Sequence, residues 1–122
     1  MSSISEIYIS DFERAVVVRS PDSVLISVDV YDRIPCEIKF EYIEELPLGP
    51  IKLRYIVVRG HELEQSKNIE KVEYVVLEHS GGCELINLRI LFKGRDFDVT
   101  ADYIRSLRDE LLKYFYRRIR GA

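Results

Sequence analysis

The sequence predicts an α+β domain in which a curved antiparallel sheet of six to seven strands packs on one long C-terminal helix. Apolar and polar residues alternate with a period of two through much of residues 4–93. The pair Gly81-Gly82 separates two such stretches, residues 71–79 and 83–93, as in a β-hairpin. Residues 97–120 instead place apolar side chains three and four positions apart, as in an amphipathic helix.

The length of the chain predicts one domain. With 122 residues, the chain has the size of a single domain, and we expect that domain to cover residues 1–122. No apolar run approaches the roughly 20 residues that are needed to span a bilayer. The first residues contain neither a basic nor an apolar signal segment, so we expect a cytoplasmic protein.

The first three strands are predicted by alternation and by one turn. Ile7 and Ile9 begin the pattern, and it continues in residues 15–19 and 23–32. Between these two stretches, Ser20-Pro-Asp-Ser23 is typical of a type I turn, because proline fixes the backbone at the first central position. A hairpin is therefore expected here.

Two further strands and two loops are predicted in the middle of the chain. Ile38, Phe40 and Tyr42 alternate with charged residues, and residues 51–57 resume the pattern. The segment between them, residues 44–50, contains two prolines and a glycine, which predict a loop. The polar residues 59–70 predict a long exposed loop that serves either as a lid or as a connection.

The last hairpin and the helix follow from turn and cap residues. A type I′ turn at Gly81-Gly82 would place Ser80 opposite Cys83 and Val75 opposite Leu88. In that register Val75, Leu77, Ile86, Leu88 and Ile90 share one face of the sheet. For the helix, Asp96 or Asp98 is the expected N-terminal cap.

Composition predicts the redox state and the thermal setting. Cys36 and Cys83 are too few for a disulfide scaffold, so we expect reduced thiols. The chain has one Gln, two Asn and one Met, and it is rich in Ile, Val, Glu and Arg. Scarcity of thermolabile residues predicts a thermophilic source.

No residue pattern indicates catalysis, a metal or a cofactor. His79 and Cys83 would need a shared face to act as a thiol–imidazole pair, and in the register above their side chains diverge. His61, His79, Cys36 and Cys83 lack the close spacing of zinc ligands. Phosphate-binding and hydrolase motifs are absent from the sequence. The sequence favours a non-enzymatic protein and leaves an enzyme open.

Nucleic-acid binding is not expected. The net charge is −3, and the only basic and aromatic cluster lies at the end of the helix. Arg117, Arg118 and Arg120 are explained there by the negative end of the helix dipole.

An apolar cavity with a few tyrosine hydroxyls is the binding site that the sequence predicts. The chain has eight tyrosines, and several fall on or beside the apolar faces of the predicted elements. The candidate lining residues are Phe40, Tyr42, Leu53, Tyr55, Val75, Leu77, Ile86, Leu88, Ile104, Leu107, Leu111 and Tyr114.

Residues 50–120 resemble the helix-grip families, the START and polyketide-cyclase-like binders of lipids and other hydrophobic ligands. The resemblance rests on residues 49–58, residues 71–92 and the terminal helix. It departs at residues 11–22, which are too short and β-branched for the short helices that those families place after the first strand. Seven strands followed by one helix are also similar to the pleckstrin-homology-like barrel, which binds phosphoinositides or peptides, although its expected basic cluster is reduced here to Arg14 and Arg19.

The helix-grip resemblance implies non-enzymatic binding of a hydrophobic small molecule or lipid in a cavity between the sheet and the helix. The alternative is a protein-interaction or assembly module without a small-molecule ligand. A homodimer is a further candidate assembly.

Overall fold

The computed structural model describes residues 2–37, 41–49, 53–60, 68–94 and 98–119. Within these residues, seven strands and one helix follow one another: β1 (Ser3–Tyr8), β2 (Arg14–Arg19), β3 (Ser23–Ile34), β4 (Glu41–Pro47), β5 (Arg54–Gly60), β6 (Ile69–His79), β7 (Gly82–Lys93) and α1 (Ala101–Ile119). The predicted α+β class with a C-terminal helix is confirmed.

All seven strands form one open antiparallel sheet. Their order across the sheet is β1-β2-β3-β7-β6-β5-β4, so the two longest strands, β3 and β7, lie side by side near the middle. The order places β1 at one edge of the sheet and β4 at the other. Glu41, Glu44 and Glu45 lie on β4, and Pro47 ends it.

The helix covers one face of the sheet because each element has one apolar side, which recurs every second residue in the strands and every three or four residues in the helix. Alternate residues of β3, Val24, Ile26 and Val28, are fully buried. On α1 the buried residues are Ile104, Leu107, Leu111 and Phe115, which recur at spacings of three and four. These two sets belong to one hydrophobic core.

Tyr74 joins the sheet to the middle of the helix. Its hydroxyl donates a hydrogen bond of 2.8 Å to the backbone oxygen of Leu111, and its ring centroid lies 4.7 Å from that of Phe115. Tyr74 is fully buried, so the bond gives its hydroxyl the partner that burial requires. Gly60 lies against the same ring. A side-chain Cβ atom at position 60 would lie only 2.6 Å from Tyr74 Cε2.

The predicted register of the last hairpin is wrong. His79 pairs with Gly82, so the turn lies at Ser80-Gly81 and not at Gly81-Gly82. A further shift at Ile86 pairs Val75 with Asn87 and Tyr74 with Leu88. Val75 and Leu77 therefore do not share a face with Leu88, since a shift of one residue moves a side chain to the other face. The extra residue moves the buried side chains of β7 from odd to even positions, but Ile86 is itself apolar and hides this change of phase in the sequence.

Predicted boundaries also differ from the structure at the helix, at β4 and at the loop of residues 59–70, whose first two residues belong to β5 and last two to β6, while residues 61–67 lie outside the described residues. The helix begins at Ala101 and not at residue 97, and Thr100 caps it by accepting a hydrogen bond of 3.1 Å from the amide of Tyr103. Of the predicted caps, Asp98 precedes the helix and Asp96 lies outside the described residues. The strand β4 continues to Pro47 through the predicted loop, which is possible because proline is accepted at a sheet edge.

The expectation of reduced thiols is wrong, because Cys36 and Cys83 form a disulfide. Their Cα atoms lie 5.3 Å apart, although 47 positions separate them in sequence. The pairing of β3 with β7 explains this proximity: Ile34 lies opposite Cys83, and Cys36 follows Ile34 by two residues. In the part of the chain that the structure describes, no helix is both long enough and apolar enough to cross a membrane.

We expect Gly60→Ala to lower the free energy of unfolding by about 1–3 kcal/mol. The added methyl group meets the Tyr74 ring, which cannot retreat without losing its bond to Leu111. Urea denaturation measures the change. Gly81→Ala is the control, since its Cβ would lie 3.2 Å from the His79 ring, which is part-exposed and lies outside the hydrophobic core. Equal effects of the two substitutions would contradict the prediction.

Reduction of the disulfide should lower the free energy of unfolding by about 2–4 kcal/mol, because the cross-link restricts the unfolded chain. Thermal denaturation with and without a phosphine reductant tests this. The double variant Cys36→Ser, Cys83→Ser should match the reduced protein and should not respond to the reductant. An unchanged melting temperature on reduction would show that the cross-link does not stabilise the fold.

Candidate functional site

A groove of about 320 Å³ lies beside the first hairpin, and three aromatic residues line it. Tyr8 is 68% exposed, Phe12 is 98% exposed and Tyr31 is 70% exposed. We call this surface the aromatic groove, and its lining consists of Tyr8, Asp11, Phe12, Glu13, Arg14, Asp29, Val30 and Tyr31. Large apolar side chains at such exposure mark surfaces that meet a partner or a ligand.

The turn between β1 and β2 presents Phe12 on a hydrogen-bonded loop. The Ile9 amide donates to the Glu13 backbone oxygen at 2.9 Å, which closes the loop. Within it, the Phe12 amide donates to Ser10 Oγ at 3.3 Å, and Ser10 Oγ donates to Glu13 Oε1 at 3.2 Å. Serine at this position favours a turn because its hydroxyl bonds to the nearby backbone.

The helix holds this loop in place from below. Arg105 Nε donates to the backbone oxygen of Ile9 at 2.9 Å, and Arg108 pairs with the Glu13 carboxylate. Arg108 also lies 3.0 Å from Asp109, and its side chain is only 11% exposed. Ile9 itself is buried in the core. The exposed ring of Phe12 is therefore carried by a loop that is fastened to the helix and to the core.

Tyr31 reaches the aromatic groove from a bulge in β3. Asp29 pairs with Asn87 and Asp32 with Leu85, so Val30 and Tyr31 together stand opposite one residue of β7. Tyr31 has φ 57°, in the left-handed region that bulky residues rarely adopt. Unfavourable backbone conformations of this kind cluster at functional positions. The bulge thus presents an aromatic ring at a cost in backbone energy.

Carboxylates outnumber guanidinium groups around the aromatic groove. Arg14 donates to Glu6 at 2.9 Å and lies 3.8 Å from Asp29, and its hydrogen bond to Glu6 raises the pKa of the Arg14 guanidinium. Asp29 also accepts a bond of 3.2 Å from Asn87. With Asp11 and Glu13 included, four carboxylates stand against Arg14 and Arg108, so the groove carries negative charge.

A second, smaller cavity lies at the other end of the helix. It has a volume of about 240 Å³ and is lined by Asp32, Arg33, Pro35, Tyr116 and Ile119. The Tyr116 hydroxyl donates to the Asp32 carboxylate across it. Tyr116 and Asp32 are thus already engaged with each other, and this cavity displays one aromatic ring where the aromatic groove displays three.

The residues that the sequence predicts as cavity lining do not come together in one place. Leu88, Ile104, Leu107 and Leu111 belong to the core between sheet and helix, and Tyr114 packs at its edge. Val75 and Leu77 lie on the opposite face of the sheet, because they alternate along β6 with the core residues Tyr74 and Val76. Tyr55 lies on that face too, because it pairs with Leu77.

The remaining predicted lining residues lie at other positions. Ile86 is the half-buried extra residue of the β7 bulge, and Leu53 precedes β5. Tyr42 is exposed on the edge strand β4, and Phe40 lies outside the described residues.

Other residues that the sequence singled out are engaged elsewhere. His79 accepts a hydrogen bond of 3.0 Å from the Gly81 amide, and its Nε2 atom lies 3.6 Å from Glu84. It forms no pair with Cys83, whose sulfur is bonded to Cys36. At the helix end, the Arg117 guanidinium lies 5.8 Å from the ring centroid of Tyr114. Arg120 and His61 lie outside the described residues.

Sequence reasoning missed the aromatic groove because its three rings come from separate segments. Tyr8 ends β1, Phe12 lies in a turn, and Tyr31 lies in a bulge. One signal was present: Phe12 interrupts the polar turn Ser10-Asp-Phe-Glu13, where a large apolar residue has no core to enter.

Comparisons with protein-family models, curated proteins and solved structures find no match to this chain. The helix-grip and pleckstrin-homology-like resemblances therefore remain predictions from the sequence pattern.

Arg108→Met should loosen the loop that carries Phe12 and should lower the free energy of unfolding by about 1–2 kcal/mol, because an ion pair with Glu13 is lost from a nearly buried site. Amide hydrogen exchange at Ile9 and Phe12 should become faster. Arg117→Met, which removes an exposed guanidinium from the same helix, should leave both amides unchanged. If Arg108→Met leaves this exchange unaltered, the helix does not hold the loop.

Proposed function

We propose that this domain is a protein-interaction module that binds an extended, cationic polypeptide segment in the aromatic groove. The observation that carries the proposal is the presence of three exposed aromatic rings in one groove with an excess of carboxylates. A lysine or arginine side chain of the partner would lie among the rings.

The rings support binding because they are already placed for it. Hot spots at interfaces are enriched in aromatic residues that fill or form well-packed pockets. Phe12 stands on a loop fixed by Arg105 and Arg108, so little conformational freedom would be lost when a partner covers it. The left-handed backbone of Tyr31 is a further sign of a position maintained for a purpose other than stability.

The charges support a cationic partner. Aromatic faces attract ammonium and guanidinium groups, and the attraction grows when the cation is desolvated. Asp11 is exposed and has no ion pair with any residue that the structure describes, so it is available to a partner's positive charge. The surrounding carboxylates would also attract a basic segment over longer distances.

The edge strand supports an extended partner. β1 lies at the edge of the sheet, and its outer backbone groups are open to pairing with an added strand. Tyr8, the last residue of β1, lines the aromatic groove, and Ile4 exposes a second apolar side chain on the same strand. A segment that pairs with β1 would thus run towards the groove.

The hydrophobic-ligand hypothesis has less support from the described residues. Leu88, Ile104, Leu107 and Leu111 are at most 2% exposed and pack into one core with the neighbouring strands. These four side chains pack in the space between the sheet and the helix that a hydrophobic ligand would have to occupy. The aromatic groove, in contrast, is open to solvent.

We further propose that the protein works inside a thermophilic cell. The disulfide would be unusual in the cytoplasm of most organisms, where thiols are kept reduced. Intracellular proteins of hyperthermophiles are the exception, because they commonly contain disulfides. The scarcity of Gln, Asn and Met agrees with such a source.

Selection of a displayed random-peptide library on the folded protein tests the interaction. We expect the enriched peptides to contain Lys or Arg and to bind less tightly as salt is raised. The double variant Phe12→Ala, Tyr31→Ala should bind them at least about tenfold more weakly, since hot-spot rings contribute most of the binding energy. Thermal denaturation should show that the variant is as stable as the wild type, because both side chains are exposed.

Leu46→Ala is the matched control, because it removes an exposed apolar side chain from the opposite edge of the sheet. It should bind the peptides as the wild type does. Enrichment of acidic peptides, or equal binding by the double variant, would overturn the proposal. A small molecule that is released from the purified protein on denaturation and is seen by native mass spectrometry would favour the hydrophobic-ligand hypothesis instead.

A further inference from the structure

Three side chains with metal-binding atoms converge at the end of the sheet where β6 turns into β7. Cys36, Glu78 and Cys83 each offer one ligand atom, and these atoms all lie within 4.8 Å of one another. The Oε2 atom of Glu78 lies 3.9 Å from the Cys83 sulfur. The three residues come from different parts of the chain, so no close sequence spacing announces them.

We propose that this cluster is a redox-controlled zinc site, in which Cys36, Cys83 and Glu78 bind one Zn²⁺ ion when the disulfide is reduced. The disulfide and the metal would then be alternative states of the same two sulfurs. The proposal is independent of the aromatic groove, since it uses none of the same residues.

The distances suit a tetrahedral ion. With Zn–S bonds of about 2.3 Å, two sulfurs on one zinc lie about 3.8 Å apart. The Cα atoms of Cys36 and Cys83 lie 5.3 Å apart, so both sulfurs can reach one ion. Glu78 already lies beside Cys83 on the paired strand, where Glu78 and Cys83 are partners in the β6–β7 register.

Arg54 holds the carboxylate and compensates its charge. Arg54 Nε lies 3.0 Å from Glu78 Oε1, and an Nη atom donates to Oε2 at 3.2 Å. Two thiolates and one carboxylate on Zn²⁺ leave a net charge of −1, and the Arg54 guanidinium, which also pairs with Glu45, lies beside it. Groups that orient a ligand in this way strengthen metal binding.

Solvent reaches the cluster from one side. Cys36 is exposed and Cys83 is buried in the core, so the pair has one accessible and one protected sulfur. A dithiol reductant supplies two electrons and two protons to the disulfide, which yields two thiols, and the reductant becomes a disulfide. Zn²⁺ then replaces the two thiol protons, which pass to solvent. Water completes the coordination in the fourth position.

Metal titration of the reduced protein tests the site. The protein is reduced with a phosphine under nitrogen and titrated with Co²⁺, whose tetrahedral thiolate complexes absorb in the visible range. Zn²⁺ is then added to displace the Co²⁺. We expect one ion per chain, a higher melting temperature with Zn²⁺, and no thiolate bands in the oxidised protein. If reduction unfolds the chain, Zn²⁺ should restore the folded circular dichroism spectrum.

Two carboxylate variants separate the proposed site from adventitious thiol binding. Glu78→Gln should weaken binding by about tenfold or more. Glu84→Gln is the control, because Glu84 follows Cys83 directly and lies beside His79 instead. Absence of cobalt–thiolate bands in the reduced protein would overturn the proposal. Equal affinity in Glu78→Gln and the wild type would overturn it as well, since the carboxylate would not be a ligand.

Discussion

The fold depends on the attachment of one helix to one face of an open sheet, and the buried hydroxyl of Tyr74 is central to that attachment. Because the hydroxyl must have a partner once it is buried, it fixes the helix at Leu111 along the axis as well as against the sheet. The ring lies between Phe115 of the helix and the backbone of Gly60. A larger residue at position 60 would displace the ring, which explains the glycine at the last position of β5.

The aromatic groove follows from the same attachment. Once Leu111 is fixed, Arg108 lies about one turn earlier on the helix and Arg105 nearly two, and both reach the first hairpin. Their contacts with Ile9 and Glu13 give the Phe12 loop its shape. The groove is therefore positioned by the helix, although β1, the adjoining turn and β3 supply its residues. The helix α1 therefore both contributes to the hydrophobic core and holds the loop that carries Phe12.

The sequence was sufficient for the architecture and insufficient for the site, for identifiable physical reasons. Alternation predicts strands well when one face is buried, as the pattern of Val24, Ile26 and Val28 illustrates. It is hard to read where the extra residue of a bulge is itself apolar, as Ile86 is, and this bulge together with the turn at Ser80-Gly81 made the predicted register of the last hairpin wrong. Thr100 was passed over as a cap in favour of the nearby aspartates, although threonine caps helices as well. The three rings and the two sulfurs become neighbours only through long-range pairing, which spacing in one sequence does not encode.

The two edges of the sheet carry unequal protection against unwanted strand pairing. β4 has three glutamates and ends in a proline, and both features discourage another strand from adding to an edge. β1 has a single glutamate among serines and apolar residues. In concentrated solution, self-association by strand pairing would consequently begin along β1 rather than along β4. The edge at β1 is therefore the part of the sheet at which this protein is most exposed to aggregation by strand addition.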